Sequence, residues 1–173
     1  NNVRGAVQLR REKGMFLAIF RNRSHDATAH KIYVRIVEQA RRPLFYLAYG
    51  VPDSPDGRFD MIAVHAALVL RRLRRDRPSA DSLAQAVFDL MFVDLDQNLR
   101  EMGVGDLAVG KRIKGMAKGF YGRLAAYEQG LEDTGGSGLA DALKRNVYRH
   151  GLPTTEQLAA ITAYVRREAD ALD

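Results

Sequence analysis

The stretch RFDMIAVHAALVLRRLRRD, residues 58–76, decides how this chain folds. Phe59, Ile62, Ala66, Val69 and Leu73 recur at spacings of three and four, and Met61, Val64 and Leu68 form a second series beside them. Two apolar stripes at helical period describe a helix covered on most of its sides. Arg71, Arg72, Arg74 and Arg75 crowd its last turns, where the partial negative charge of a helix end favours cations. The apolar run from Phe59 to Leu70 contains Asp60 and His65 and falls short of the roughly 18 residues that cross a bilayer. A central buried helix is expected here, and no membrane span.

Outward from this helix, three- and four-residue spacing recurs and sustained alternation does not, which predicts an all-α chain of about six to seven helices. Before it, Ser24 or Asp26 caps a helix to about Ala40, with Ile32, Ile36 or Val37 and Ala40 on one side. Pro43 starts a short helical turn, and Gly50-Val51-Pro52-Asp53-Ser54-Pro55-Asp56-Gly57 reads as a loop because two prolines and two glycines oppose regular structure. After it, a helix from Asp81 to Met102 turns Leu83, Val87, Met91, Leu95, Leu99 and Met102 inward. Gly103 and Gly105 end it, and Asp106 is expected to cap the next, which carries Val109, Ile113, Met116, Phe120, Leu124 and Tyr127 to about Gln129. Beyond the flexible break Gly135-Gly136-Ser137-Gly138, Leu139–His150 and Thr154–Leu172 form a helical hairpin, with Thr154 and Gln157 at capping-box spacing. About 35 residues cannot enclose a core, so the hairpin is expected to pack on the body. The expected parts are a tail over 1–24, a helical core over 25–134 and the hairpin over 139–173.

Charge divides the chain unevenly. Residues 1–24 hold six cations against Glu12 alone, whereas the remainder holds 21 cations and 20 acids. A near-neutral body is not a nucleic-acid coat, and no DNA partner is expected. Inside the basic tail, Met15-Phe16-Leu17-Ala18-Ile19-Phe20 is bracketed by cations, which suits the surface of an anionic membrane through Phe16, Leu17, Ile19, Phe20, Arg21 and Arg23. Docking of this run on the protein's own core, or a natural start at Met15, remain open readings. With no cysteine, disulfides, thiolate metal ligation and a cysteine nucleophile are excluded.

Several ligand motifs fit in part. Gly105-Asp106-Leu107-Ala108-Val109-Gly110-Lys111-Arg112 resembles a phosphate loop, but Arg112 stands where a hydroxyl would hold magnesium and no strand precedes it. Asp94-Leu95-Asp96-Gln97-Asn98 begins like a calcium loop, yet Leu99 takes the place of the turn glycine and Gly105 that of the bidentate Glu. As part of a helix, Asp96 pairs with Arg100, while Asp94 borders the apolar side and needs a partner, expected to be a cation from another helix. His25 and His30 lie about 140° apart around a helix and do not share a face as ligands would. His65 is expected to be a hydrogen-bonded core histidine. No catalytic constellation, metal set or cofactor is expected.

The segment after Gly105 stands out. Lys111, Arg112, Lys114, Lys118 and Arg123 follow one another with no acid among them, and Lys111, Lys114 and Lys118 share one face. An acidic partner, phospholipid headgroups or RNA phosphate would suit them; pairing with Asp89, Glu101 or the C-terminal acids is the internal alternative. Gly115, Gly119 and Gly122 form a second stripe, each costing about 1 kcal/mol of helix propensity against Ala. Close approach of an internal neighbour is the expected compensation, and a client helix the alternative. Phe120 should enter the core and Tyr121 lie nearer the cations.

From about Arg41 to Leu131 the chain resembles the ubiquinol–cytochrome c chaperone family. The residues that carry this are Gly50-Val51-Pro52-Asp53, Asp56-Gly57-Arg58-Phe59-Asp60, His65, Arg72-Leu73, Asp94-Leu95-Asp96, Leu99-Arg100-Glu101-Met102-Gly103-Val104-Gly105-Asp106, Phe120-Tyr121-Gly122-Arg123 and Ala126-Tyr127. The resemblance implies a helical, non-enzymatic assembly factor for cytochrome b of respiratory complex III, acting on the side of the membrane where that client is made, with a second small assembly factor and the ribosome as further partners. The tail lacks the Ser-rich, acid-poor length of a mitochondrial targeting extension, so a bacterial protein peripheral to the cytoplasmic face of the inner membrane is expected. Lys111, Lys114, Lys118, Tyr121 and Arg123 are the expected client or partner face. The competing readings are a helical enzyme or carrier for an isoprenoid or haem-like ligand, marked by a pocket joining His65 to Asp60 or Asp94, and a basic ribosome or RNA adaptor.

Overall fold

The structure, a computed structural model, describes residues 26–133, 135–149 and 151–173. Among them the chain forms seven helices and no strand: α1 over 26–40, α2 over Pro43–Leu47, α3 over Pro55–Arg75, α4 over Asp81–Glu101, α5 over Asp106–Glu132, α6 over Gly138–Val147 and α7 over Thr155–Leu172. The basic tail and its apolar run, with Phe16, Leu17, Ile19, Phe20, Arg21 and Arg23, lie outside the described residues.

Helix α3 is the axis, packed by α4, α5, α6 and α7. Both of its apolar stripes are used: Phe59, Met61, Ile62, Val64, Ala66 and Leu68 are all buried. Helix α1 lays Ala29, Tyr33, Ile36 and Ala40 into the same core, a stripe at spacings of four, three and four. The C-terminal hairpin packs on the body, α6 against α5 and α3, and α7 against α3.

Helix α3 begins earlier than the proline and glycine count predicts. Ser54 caps it, its Oγ accepting from the Gly57 amide at 3.1 Å, and Pro55 occupies the first turn. Proline is at home there because an N-terminal amide has no helical acceptor to lose. Gly57 is required by crowding: a Cβ at that position would lie 2.0 Å from the Pro52 carbonyl oxygen. At α5 the N-cap is Gly105 rather than Asp106, whose carboxylate instead meets Arg100. Helix α6 ends at Val147, short of His150, and Tyr148 donates its hydroxyl to the Tyr49 carbonyl at 2.6 Å. At α7 the capping box forms as its spacing predicts, with Thr154 and Gln157 exchanging side-chain and backbone bonds at 3.2 and 2.9 Å.

The arginines at the end of α3 do not form an open patch. Arg71 and Arg75 both reach Asp173, at 2.7 and 2.6 Å, Arg72 takes Asp76 and Arg74 takes Glu128.

Candidate functional site

The twenty-seven residues of α5 run along α3 and α4 with Val109, Phe120, Leu124 and Tyr127 turned into the core. What remains outward follows from the same period. Lys111, Lys114, Lys118 and Tyr121 all lie on the exposed side, with Arg112 exposed on a flank. No ion pair neutralises any of these cations among the described residues. The acids considered as internal partners are engaged elsewhere: Asp89 accepts from Gln85, Glu101 from Gln97, and Asp173 holds Arg71 and Arg75. Tyr121 is half-exposed, its ring stacked at 5.2 Å on that of Phe88 from α4, while Phe120 beside it is fully buried.

Arg123 does not join this face. Five residues beyond Lys118 it has turned about 140° around the helix, and its guanidinium lies 2.9 Å from Asp60 with a side chain only 12% exposed. Arg149, from the turn after α6, completes the arrangement with bonds of 2.9 and 2.7 Å to both carboxylate oxygens. Asp60 is thus a buried anion shared by two arginines that tie α3, α5 and the hairpin together. Burial pushes its carboxyl above the usual range, and the two cations oppose that shift. The carboxylate inside an apolar run announced the need for partners; their identity was not local, because Arg149 lies far along the chain.

The glycine stripe also departs from expectation. A Cβ added at Gly115, Gly119 or Gly122 would meet no atom within 4 Å, so no described part of the chain packs there. Close approach does occur on α5, but at Gly130, where a Cβ would stand 2.5 Å from the backbone of Leu139 at the start of α6. The buried side of the helix near its C-terminal end, not the outward stripe, is where two backbones of this chain touch.

Other chemistry-bearing residues are partnered separately. His65 must carry its proton on Nδ1, which donates to the Met61 carbonyl at 2.7 Å, so its Nε2 accepts from the Tyr164 hydroxyl at 2.7 Å. Gln39 of α1 in turn donates to the Tyr164 oxygen at 3.0 Å. Burial lowers the affinity of this imidazole for a second proton. Asp94 accepts from the Tyr33 hydroxyl at 2.7 Å, a neutral donor from α1 in place of the cation expected. Asp60, His65 and Asp94 therefore occupy three separate settings, each with its own partner. The residues of the phosphate-loop match, from Asp106 onward, are helical and form no anion cradle. Among the described residues no His, Asp and Glu group is arranged to hold a metal ion, and no helix is long and apolar enough to cross a membrane.

Fold and site together define a helical body that presents one cationic helix face. Within that class the chain belongs to the ubiquinol–cytochrome c chaperone family, whose model it matches over residues 47–173. It is 26% identical over 145 residues to ubiquinol-cytochrome c reductase complex assembly factor 1 of Mus musculus, covering 84% of this chain and 49% of that protein. The Homo sapiens protein of the same name is also 26% identical, with 48% of it covered. The chain spans about half the length of these curated relatives. The crystal structure of the Cbp3 homolog from Brucella abortus is similar with a TM-score of 0.78 and 38% identity, over 91% of this chain and 87% of that one.

Proposed function

We propose that this protein is an assembly chaperone of ubiquinol–cytochrome c reductase, respiratory complex III, which holds newly made cytochrome b through its helical surface and contributes no bond-making step. Family membership supports the complex, since the relatives bear the name of its assembly factors. The observation that carries the mode of action is the outward side of α5, where Lys111, Lys114 and Lys118 stand exposed beside Tyr121 with no ion pair among the described residues. This side is the client or partner face; Arg123 supports it from within by fixing α5 to Asp60. Residues 1–24, with Phe16, Leu17, Ile19, Phe20, Arg21 and Arg23, hold the protein at the anionic surface of the membrane into which its client is inserted. A second small assembly factor and the ribosome are its further partners, and it works at the cytoplasmic face of a bacterial inner membrane.

Reversal of Lys111, Lys114 and Lys118 to Glu, in cells that depend on this protein, is expected to lower cytochrome b accumulation while the purified variant keeps its helical circular dichroism. Unchanged accumulation would remove the face from the mechanism. Flotation with anionic liposomes should fall when residues 1–24 are deleted; equal flotation would reject the tail as an anchor.

A further inference from the structure

We propose that the outer side of α5 receives an α-helix of a partner protein that bears acidic side chains at spacings of three and four with small side chains beside them. This rests on the reading of α5 as the docking face and adds the chemistry of what docks.

Charge is the first argument. Between Asp106 and Glu128 the helix contains no acid, and Lys111, Lys114 and Lys118 form a rail about 10 Å long with no counter-ion among the described residues. The four arginines closing α3, by contrast, are each matched by an acid. Like charges left together on one helix repel, so the rail is a cost to the isolated protein that an external anion would relieve. Acids spaced three and four apart on a facing helix would meet all three lysines at once, and Tyr121, held flat by Phe88, adds a rigid ring with a polar tip at the end of the rail.

Relief distinguishes a helix from other anions. Lipid headgroups or RNA phosphates would meet these lysines equally well if Gly115, Gly119 and Gly122 were alanines. A helix would not, because open backbone beside the rail lets a second backbone approach closely. The chain already uses this device once, at Gly130 against Leu139. Among the described residues of α5, no exposed large apolar side chain other than Tyr121 stands ready to enter a bilayer.

The test uses the full chain and a labelled Ala-based helical peptide of about 20 residues carrying Glu at positions matched to the rail, with a Gln-for-Glu peptide as control. Fluorescence anisotropy should show binding of the Glu peptide alone, weakening as salt rises. Reversal of the three lysines to Glu should weaken it at least about tenfold, and Gly115→Leu with Gly119→Leu, which keep every charge, should do so too by blocking approach. Both variants are checked for helical circular dichroism and melting before use. Equal binding of the Gln peptide, or binding indifferent to the leucines, would overturn the proposal. So would phosphatidylglycerol vesicles that bind the protein through the lysines and are indifferent to the leucines, an outcome that assigns the rail to a membrane. Failure of the peptide while cytochrome b accumulation still depends on the lysines would overturn the helix alone and leave the chaperone reading standing. Peptide binding with accumulation indifferent to the lysines would sink the client role of this face instead.

Discussion

Replacing Gly115, Gly119 and Gly122 together with alanine should make this protein more stable. At each position a Cβ meets no atom within 4 Å, and none of the three has a positive φ. The methyl groups therefore cost no repacking, while the unfolded chain loses conformational freedom and the helix gains propensity. Each change is worth about 0.5–1 kcal/mol, so three give about 1.5–3 kcal/mol when nothing couples them. For a chain of this size that is an increase in melting temperature of about 3–12 °C. Gly130→Ala is the control: the same atoms are added to the same helix, but the Cβ would lie 2.5 Å from the Leu139 backbone, which cannot swing aside as a side chain can. That variant should lose about 1–3 kcal/mol. Urea unfolding followed by circular dichroism measures both. A triple variant that is neutral or destabilised would show that another part of the protein covers the stripe, and the argument for an open docking side would fall with it.

Asp60→Ala would leave Arg123 buried without its counter-ion, and a loss of about 3 kcal/mol is expected in the same assay; Arg149→Ala should cost less, because that side chain is a third exposed and Arg123 still neutralises Asp60 once it is gone. Thr154→Ala removes one half of the α7 capping box and should cost about 1 kcal/mol. His65 gives the protein an acid-side weakness. Its pKa is lowered in the folded state from the usual 6.5, so below about pH 6.5 the unfolded chain binds a proton that the folded one refuses. Stability should therefore fall as pH drops from 6.5 toward 5, with a slope of at most about 1.4 kcal/mol per pH unit, and His65→Gln should flatten that slope. Asp60 does not add to the loss, since its carboxyl is shifted up and not down. A slope in the variant equal to that of the parent would refute the assignment.

The helices were legible because each carries a periodic apolar side, and the α7 cap because Thr154 and Gln157 satisfy one another within four residues. Departures cluster where the deciding atom lies elsewhere in the chain. Pro55 looked like a helix breaker until Ser54 supplied a cap in front of it. Asp94 advertised the need of a partner, but Tyr33, which answers it, sits on a helix whose packing no local pattern reveals. The stripe of three glycines suggested close packing correctly in kind and wrongly in place, since helical period alone does not say which side of α5 meets α6. Arg123 was the avoidable case: the same angular argument that separates His25 from His30 separates it from Lys118.

The relay from Gln39 through Tyr164 to His65 has a consequence for biosynthesis. Its members come from α1, α7 and α3, and the Gln39–Tyr164 bond closes over a separation of 125 residues. A growing polypeptide exposes α1 early, yet the tyrosine that secures it emerges only with the final helix described. Until translation reaches α7, the imidazole of α3 lacks its hydroxyl donor and α1 is tied by its apolar side and by Tyr33 to Asp94 alone, so the nascent chain passes through a stage in which this relay is still open.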